Sequence, residues 1–248
     1  SMTPAFDPCI LIPVYNHEDP LASIVQRLAS RQLPCILVDD GSHPSCAEVI
    51  RALAEQYPWV EVVRLELNRG KGGAVKAGIL RAHARGYSHA LQIDADGQHD
   101  LNDLDTFLAA AQANPEAVII GRPLFDDSIP KLRFYARYLT HVWVYINTLS
   151  LQIRDAMCGY RVYPLAACAD LIQTVELEER MAFDVEILVR LYWQGLSMVP
   201  IPTRVGYPQD GISHFRGWED NLRTSLTHAR LFLGMLIRLP RLLTRHIR

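Results

Sequence analysis

The 248-residue chain has no acidic residue after Asp220, while Arg223, Arg230, Arg238, Arg241, Arg245 and Arg248 all follow it. Cysteine pairs are missing too. Cys9, Cys35, Cys46, Cys158 and Cys168 are odd in number, scattered and never in a C-x-x-C pair, which argues against structural zinc and a disulfide framework. Free thiols with no secretory leader point to the cytoplasm, at the inner face of the membrane. No apolar run reaches the roughly 18 residues of a membrane span. The nearest, residues 139–153, is interrupted by His141 and Asn147. A formal charge of −2 leaves no global attraction for nucleic acid. The G-x-x-x-x-G-K-[ST] and G-x-G-x-x-G phosphate fingerprints are absent as well. The chain is therefore expected to touch a membrane without crossing it, and to bind no nucleic acid.

What is present is an ordinary globular mixture, 49% apolar and 21% charged. Apolar runs at 9–14 and 35–38 read as strands, as do 60–65, 89–93 and 117–121, and 22–31, 47–56, 72–85 and 104–113 read as helix. Strands alternating with helices of this length predict an α/β fold, a mainly parallel sheet with helices on both faces. Ligands of such sheets lie at the carboxyl ends of the strands. Tyr15-Asn16, Asp39-Asp40, Asn68-Arg-Gly-Lys71, Asp94-Ala-Asp96 and Gly121-Arg122 each follow an apolar run directly, so one crevice is expected to collect them. Later, 184–193 reads as a helix and 198–205 as a strand. Beyond 215 come basic amphipathic helices broken at Pro240. This divides the chain into a domain at 1–210 and a helical tail at 211–248, whose 221–248 part suits an anionic membrane surface through leucines mixed with arginine.

Asp94-Ala-Asp96-Gly-Gln98 sets two carboxylates two residues apart as a strand ends. Hard cations such as Mg²⁺ or Mn²⁺ take oxygen ligands and share their shell with phosphate oxygens. The same residues also suit a solvated turn. Asn68-Arg-Gly-Lys-Gly-Gly73 opening a helix reads either as a phosphate cradle of helix-terminal amides or as an ordinary strand–helix turn.

Together, Pro13-Val-Tyr-Asn16, Val38-Asp-Asp-Gly-Ser42, Asn68-Arg-Gly-Lys-Gly72, Asp94-Ala-Asp-Gly-Gln98, Asp155-Ala-Met-Cys-Gly-Tyr-Arg161 and Phe183-Asp-Val-Glu186 resemble the family 2 glycosyltransferases. The likeness is to the branch of dolichyl-phosphate mannose synthase and the polyprenyl-phosphate glycosyltransferases. The segments occur in the family's order and cover residues 9 to about 205. The resemblance implies a GT-A, Rossmann-like fold and inverting transfer from a nucleotide-diphosphate sugar to a lipid-linked acceptor. It implies that Pro13, Tyr15, Asp40, Lys71, Asp94 and Ala95 bind the donor, with Asp40 reading the base edge. Asp96 and Gln98 would hold Mg²⁺ or Mn²⁺, the metal taking up charge on the departing nucleoside diphosphate. Arg122 joins Asp96 and Asp184 as a catalytic candidate, and Arg122, Arg133, Arg161 and His214 are candidates for the acceptor.

Three departures matter. His17 intervenes where the family has a glutamate, displacing Glu18. The late loop has Gly211-Ile-Ser-His214 where the polyprenyl branch has Ser-Lys, so a permanent cation becomes a titratable one. Asp184 and Arg190 reproduce the six-residue spacing of a base carboxylate in hydroxyl-glycosylating members. A phosphate acceptor needs no such base, because a phosphomonoester is already largely ionised. The segment from Ser213 also resembles glycosyltransferases found beside lipid acyltransferases and aryl-polyene pigment enzymes, which favours a hydroxyl acceptor. Two other readings compete: a non-catalytic nucleotide-sugar binder and a sugar nucleotidyltransferase. The second would need a glycine-rich basic loop where Tyr15-Asn-His-Glu18 stands.

Overall fold

The computed structural model describes residues 4–125, 131–205 and 218–245; the side chains at 131–134, 136 and 218–221 fall outside the description. His214 therefore lies outside the described residues, as does the side chain of Arg133.

Seven strands form one sheet in the order β3-β2-β1-β4-β6-β5-β7. They are β1 (Pro8–Val14), β2 (Cys35–Asp40), β3 (Val60–Leu65), β4 (His89–Gln92), β5 (Val118–Leu124), β6 (Arg161–Pro164) and β7 (Met198–Arg204). All run parallel except β6, which pairs antiparallel with both β4 and β5. The predicted α/β class holds.

Nine helices are found among the described residues: α1 (Glu18–Leu28), α2 (Pro44–Gln56), α3 (Lys71–Ala84), α4 (Leu104–Ala113), α5 (Lys131–Thr148), α6 (Leu165–Thr174), α7 (Phe183–Trp193), α8 (Trp218–Ile237) and α9 (Leu239–Arg245). The two-residue period of β1 divides the core. Cys9 and Leu11 join α3, α6 and α7 on one face, while Ile10, Ile12 and Val14 join α1, α2 and α4 on the other. Both faces are covered, which is why the central strands β1 and β2 open as apolar runs.

Three elements were not foreseen: α5, α6 and β6. β6 begins at the fully buried Arg161 and ends at Pro164, so its four residues carry no apolar run. The tail does not stand apart either. Leu231, Met235 and Leu242 enter the same core cluster as Phe183 and Trp193. Arg245 donates to the carbonyls of Tyr192 and Leu196, and Arg238 lies over the Trp193 ring. The helix breaks at Arg238 rather than at Pro240. Pro240 sits in the first turn of α9, where its missing N–H has no partner to lose.

Candidate active site

Where β1 and β2 end, Asn16 and Ser42 tie their turns together. Asn16 N–H donates to Ser42 Oγ at 3.2 Å, and Asn16 Oδ1 accepts the His43 amide at 2.8 Å. Asp39 accepts the Ser42 amide at 2.9 Å and pairs with Arg64. Asp40 reaches sideways to the turn after β3, accepting the Arg69 amide at 2.7 Å, the Gly70 amide at 2.9 Å and Asn68 Nδ2 at 2.9 Å. Burial raises the pKa of Asp40, and those backbone donors pull it back. Asp40 is thus the brace of the Asn68–Gly70 turn, a role that the expected base contact did not include. Pro13 and Tyr15 lie beside it, both half-buried.

Gly70 holds φ +98°, a conformation that favours glycine, and this turns the chain into α3. The carbonyl of Glu179 caps the start of that helix, accepting the Gly73 amide at 3.0 Å. A protein carbonyl therefore occupies the helix end that the cradle reading left for a phosphate. The loop before α7 supplies it, and Arg180 from the same loop donates to Asn68 at 3.2 Å.

Lys71, the first residue of α3, points into the crevice. Its ammonium meets Asp94 Oδ1 at 2.9 Å, a charge contact rather than an aligned hydrogen bond, and Asp184 Oδ2 at 3.2 Å. Burial alone would lower its pKa, but the Asp184 and Asp94 carboxylates outweigh burial and raise it, so Lys71 stays charged. The other Asp94 oxygen accepts His99 Nε2–H at 3.1 Å. Burial opposes ionisation of Asp94, yet Lys71 and His99 win and hold its pKa well below the carboxylate range. His99 rests on Tyr160 with ring centroids 5.0 Å apart, and Tyr160 stacks on Phe107.

Asp184 opens α7 and is 8% exposed. Its second oxygen is buried without a hydrogen-bond partner, 4.0 Å from Arg161 Nη1. Arg161 itself spends its donors on the carbonyls of Cys158, Asp184 and Ala156 and on the Tyr163 hydroxyl. It is fully buried, so its assignment to the acceptor is corrected: Arg161 is an internal support for Asp184.

Asp96 lies one turn away, half-buried beside the buried Ala95. Its one hydrogen bond comes from the Gln98 amide at 3.0 Å. Burial and the neighbouring Asp94 charge both raise its pKa. Arg122 is exposed on β5, next to Gly121, which packs against Cys158 and Tyr160 of the 155–161 loop. The structure thus joins the ends of β1, β2, β3 and β4 with the head of α7.

The loop from Asp155 to Arg161 closes the crevice. Asp155 accepts two bonds from Arg137, at 2.6 and 2.8 Å, one from His141 at 3.2 Å, and the Met157 and Cys158 amides at 2.8 Å. This sets Gly159 so close that a Cβ there would lie 2.6 Å from both Asp94 oxygens and 2.8 Å from Lys71 Nζ. His99, Gly159 and Asp155 escaped the site assignment although all three fall inside or beside the quoted motifs. Their signal was position within a motif, not residue chemistry.

The family model for glycosyl transferase family 2 matches residues 9–166. The chain belongs to that family. The dolichyl-phosphate beta-glucosyltransferase of Dictyostelium discoideum is 30% identical over 200 residues, covering 72% of this chain and 60% of that protein. The polyprenol monophosphomannose synthase of Mycolicibacterium smegmatis is 27% identical over 231 residues, covering 88% and 83%. This family 2 glycosyltransferase chain spans about three fifths of the length of the dolichyl-phosphate relatives it matches. Its fold resembles that of S. aureus TarS 1–349 solved with UDP-GlcNAc, with a TM-score of 0.62 at 15% identity, covering 97% of this chain and 72% of that one. It also resembles the mannosyltransferase PcManGT of Pyrobaculum calidifontis, solved with GDP-Man and Mn²⁺, with a TM-score of 0.56 at 14% identity, covering 94% and 64%. These likenesses establish the GT-A fold. No described helix is long and apolar enough to cross a membrane.

Proposed function

We propose that this glycosyltransferase moves a sugar, with inversion, from a nucleotide-diphosphate sugar to a polyprenyl phosphate held at a membrane surface. The observation that carries the reading is the Lys71 ammonium, buried between Asp94 and Asp184 and kept charged by both. A fixed cation in the crevice suits a reaction whose donor and acceptor both bear phosphate. The names of the relatives support a polyprenyl-phosphate acceptor. Pro13 and Tyr15 would border the nucleoside, Asp40 would fix the turn beside it, and Ala95 would line the donor with Asp94. Residues 221–248 would rest on an anionic bilayer.

The donor set fits a divalent cation. No group of three or more His, Cys, Asp or Glu that could hold an ion is found among the described residues, so the protein would supply few ligands and the diphosphate the rest. Asp94 is committed to Lys71 and His99. Asp96, with one hydrogen bond and a like-charged neighbour, would gain most from a cation, and Gln98 adds an amide oxygen. Such an ion would supply Lewis-acid stabilisation of the leaving diphosphate.

A second reading has its own observation. The unpartnered Asp184 oxygen is placed to accept a proton from an acceptor hydroxyl. One variant separates the two. With a phosphate acceptor, Asp184→Asn takes one of two carboxylates from Lys71 but no proton acceptor, so turnover should fall by about tenfold at most; with a hydroxyl acceptor it should cost on the order of 10²–10⁴ in rate. A loss of that size on polyprenyl phosphate would overturn the first reading.

A further inference from the structure

A hollow lies between α3, β3 and the end of α6, and its lining shares no residue with the Lys71–Asp94–Asp184 group. Lys76, Ala77, Leu80, Arg81 and Ala84 line it, at the one- and four-residue steps that put side chains on one side of a helix. Val63 of β3 joins them, with Ile172 and Val175 from the end of α6. Val63, Ala77, Ile172 and Val175 pack on the core with one part of their surface and stay partly open with the rest. The hollow measures about 710 Å³, within the range of small-molecule sites.

Cations outnumber carboxylates around it among the described residues. Arg69 and Lys76 meet the same oxygen of Glu179, at 2.5 and 3.5 Å. Arg81 and Arg85 share Glu61 in the same way, at 3.0 and 2.8 Å. Glu176 is one further carboxylate on the lining. Hydrogen bonds from Arg85 and Arg69 hold the Glu61 and Glu179 carboxyls below their ordinary pKa. Lys76 also donates to the Leu177 carbonyl at 2.9 Å, which fixes its ammonium at the wall. The Arg69 and Glu179 side chains are 43% and 42% exposed, so their ion pair is worth little in water. A ligand carboxylate that also buries an apolar body can displace it, because the hollow adds apolar contact that Glu179 does not gain.

Glu179 belongs to the loop that leads into α7. A Cβ on Gly70 would lie 2.6 Å from the Glu179 carbonyl oxygen, and one on Gly72 would lie 2.5 Å from Phe183 Cβ. The loop is therefore pressed on the first turn of α3, beside Lys71 and Asp184, and the contact of Glu179 with Arg69 and Lys76 clasps it there. We propose that the hollow binds a small amphiphilic carboxylate, whose head pairs with Lys76 and Arg69 in place of Glu179 and whose apolar part covers Val63, Leu80, Ile172 and Val175. An occupied hollow unclasps the loop, so the ligand also acts on the head of α7. Binding at the hollow is independent of what the crevice transfers.

The test titrates the full chain with octanoate by calorimetry, below its micelle concentration, with acetate and octanol for comparison. Octanoate should bind once per chain, about tenfold or more tightly than either. Lys76→Gln should weaken it about tenfold, the weight of one charge-assisted hydrogen bond. Glu179→Gln should strengthen it about threefold or more, because the competing carboxylate is gone. Ala84 is exposed on α3, so Ala84→Glu should weaken binding and Ala84→Lys strengthen it, neither moving the thermal midpoint. Lys71→Gln, in the crevice, should leave the affinity unchanged. No binding by the wild type would overturn the site, as would equal binding by Lys76→Gln and Ala84→Glu, or a loss in Lys71→Gln that moves the ligand to the crevice. Octanol binding as tightly as octanoate would overturn the carboxylate head, and acetate doing so the apolar part. Hydrogen exchange of the amides at 177–182 should quicken with octanoate bound; unchanged exchange would overturn the action on the loop.

Discussion

Replacing Gly159 by alanine adds one methyl group at the narrowest point of the crevice. Its carbon would meet both Asp94 oxygens at 2.6 Å and Lys71 Nζ at 2.8 Å, against an ordinary contact of 3.4 Å or more. Something must therefore move by about 0.8 Å, the difference between 3.4 and 2.6 Å. The Asp94 and Lys71 side chains are 23% and 25% exposed, so they can swing toward the open crevice without disturbing the core. The stability cost should sit near ~1 kcal/mol, the low end for overpacking. The catalytic cost should be larger, because a displacement of about 1 Å in a reacting constellation is worth roughly 10²-fold in rate. Steady-state kinetics with a nucleotide sugar, beside a thermal melt, measures both. A variant with kcat/KM within about threefold of wild type would refute the placement of Asp94 and Lys71 at the reacting centre. A melt lowered by much more than that ~1 kcal/mol would show instead that the two side chains cannot yield.

Two further predictions rest on histidines. His99→Phe keeps a ring against Tyr160 but removes the bond to Asp94, so donor turnover should fall about 10- to 100-fold, whereas His99→Gln, which restores a donor, should recover most of it. Equal losses in both variants would mean that His99 acts through packing alone. His228 is buried with neither ring nitrogen hydrogen-bonded, and burial lowers its pKa below the unfolded value of about 6.5. As the pH falls, the unfolded chain binds the proton first, so the contribution of His228 is present above pH ~6.5 and is lost below it. The protection of α8 amides, after correction for the intrinsic exchange rate, should fall in acid, and His228→Phe should flatten that dependence; an unchanged pH profile would contradict it.

The centre of the sheet was legible because β1 and β2 are buried on both faces and so appear as apolar runs: residues 9–14 and 35–38 become β1 and β2 almost unchanged, and 60–65 becomes the partly exposed β3. β6 was not, because its first residue is an arginine whose burial depends on carbonyls from 156, 158 and 184, and no local pattern encodes those partners. The same blindness sent Arg161 to the acceptor. An arginine in a motif is read as a ligand-binding charge until tertiary contacts show its donors already used. Asp94 was found by residue type and position, Lys71 and Asp184 through the family resemblance. Their bridging through one ammonium was not, since 113 residues separate Lys71 from Asp184. The tail misled in another way. Leucines and arginines without acids do mark a surface helix, but Leu231, Met235 and Leu242 dock it on the body through a second apolar side. Sequence composition cannot tell one apolar side from two.

The central claim is sugar transfer to a lipid phosphate at the Lys71–Asp94–Asp184 crevice, with Asp96 as the cation ligand. Its most direct measurement follows a labelled sugar from a panel of nucleotide-diphosphate sugars into the organic phase, with polyprenyl phosphate in anionic vesicles and Mn²⁺ or Mg²⁺ present. The account predicts label in the lipid with one donor, dependent on the acceptor. Chelator should abolish it, and so should Asp96→Ala, which removes a ligand without touching the core. Transfer that persists at full rate in excess chelator would contradict the metal assignment. Donor turnover that ignores polyprenyl phosphate and leaves the lipid unlabelled would contradict the claim itself.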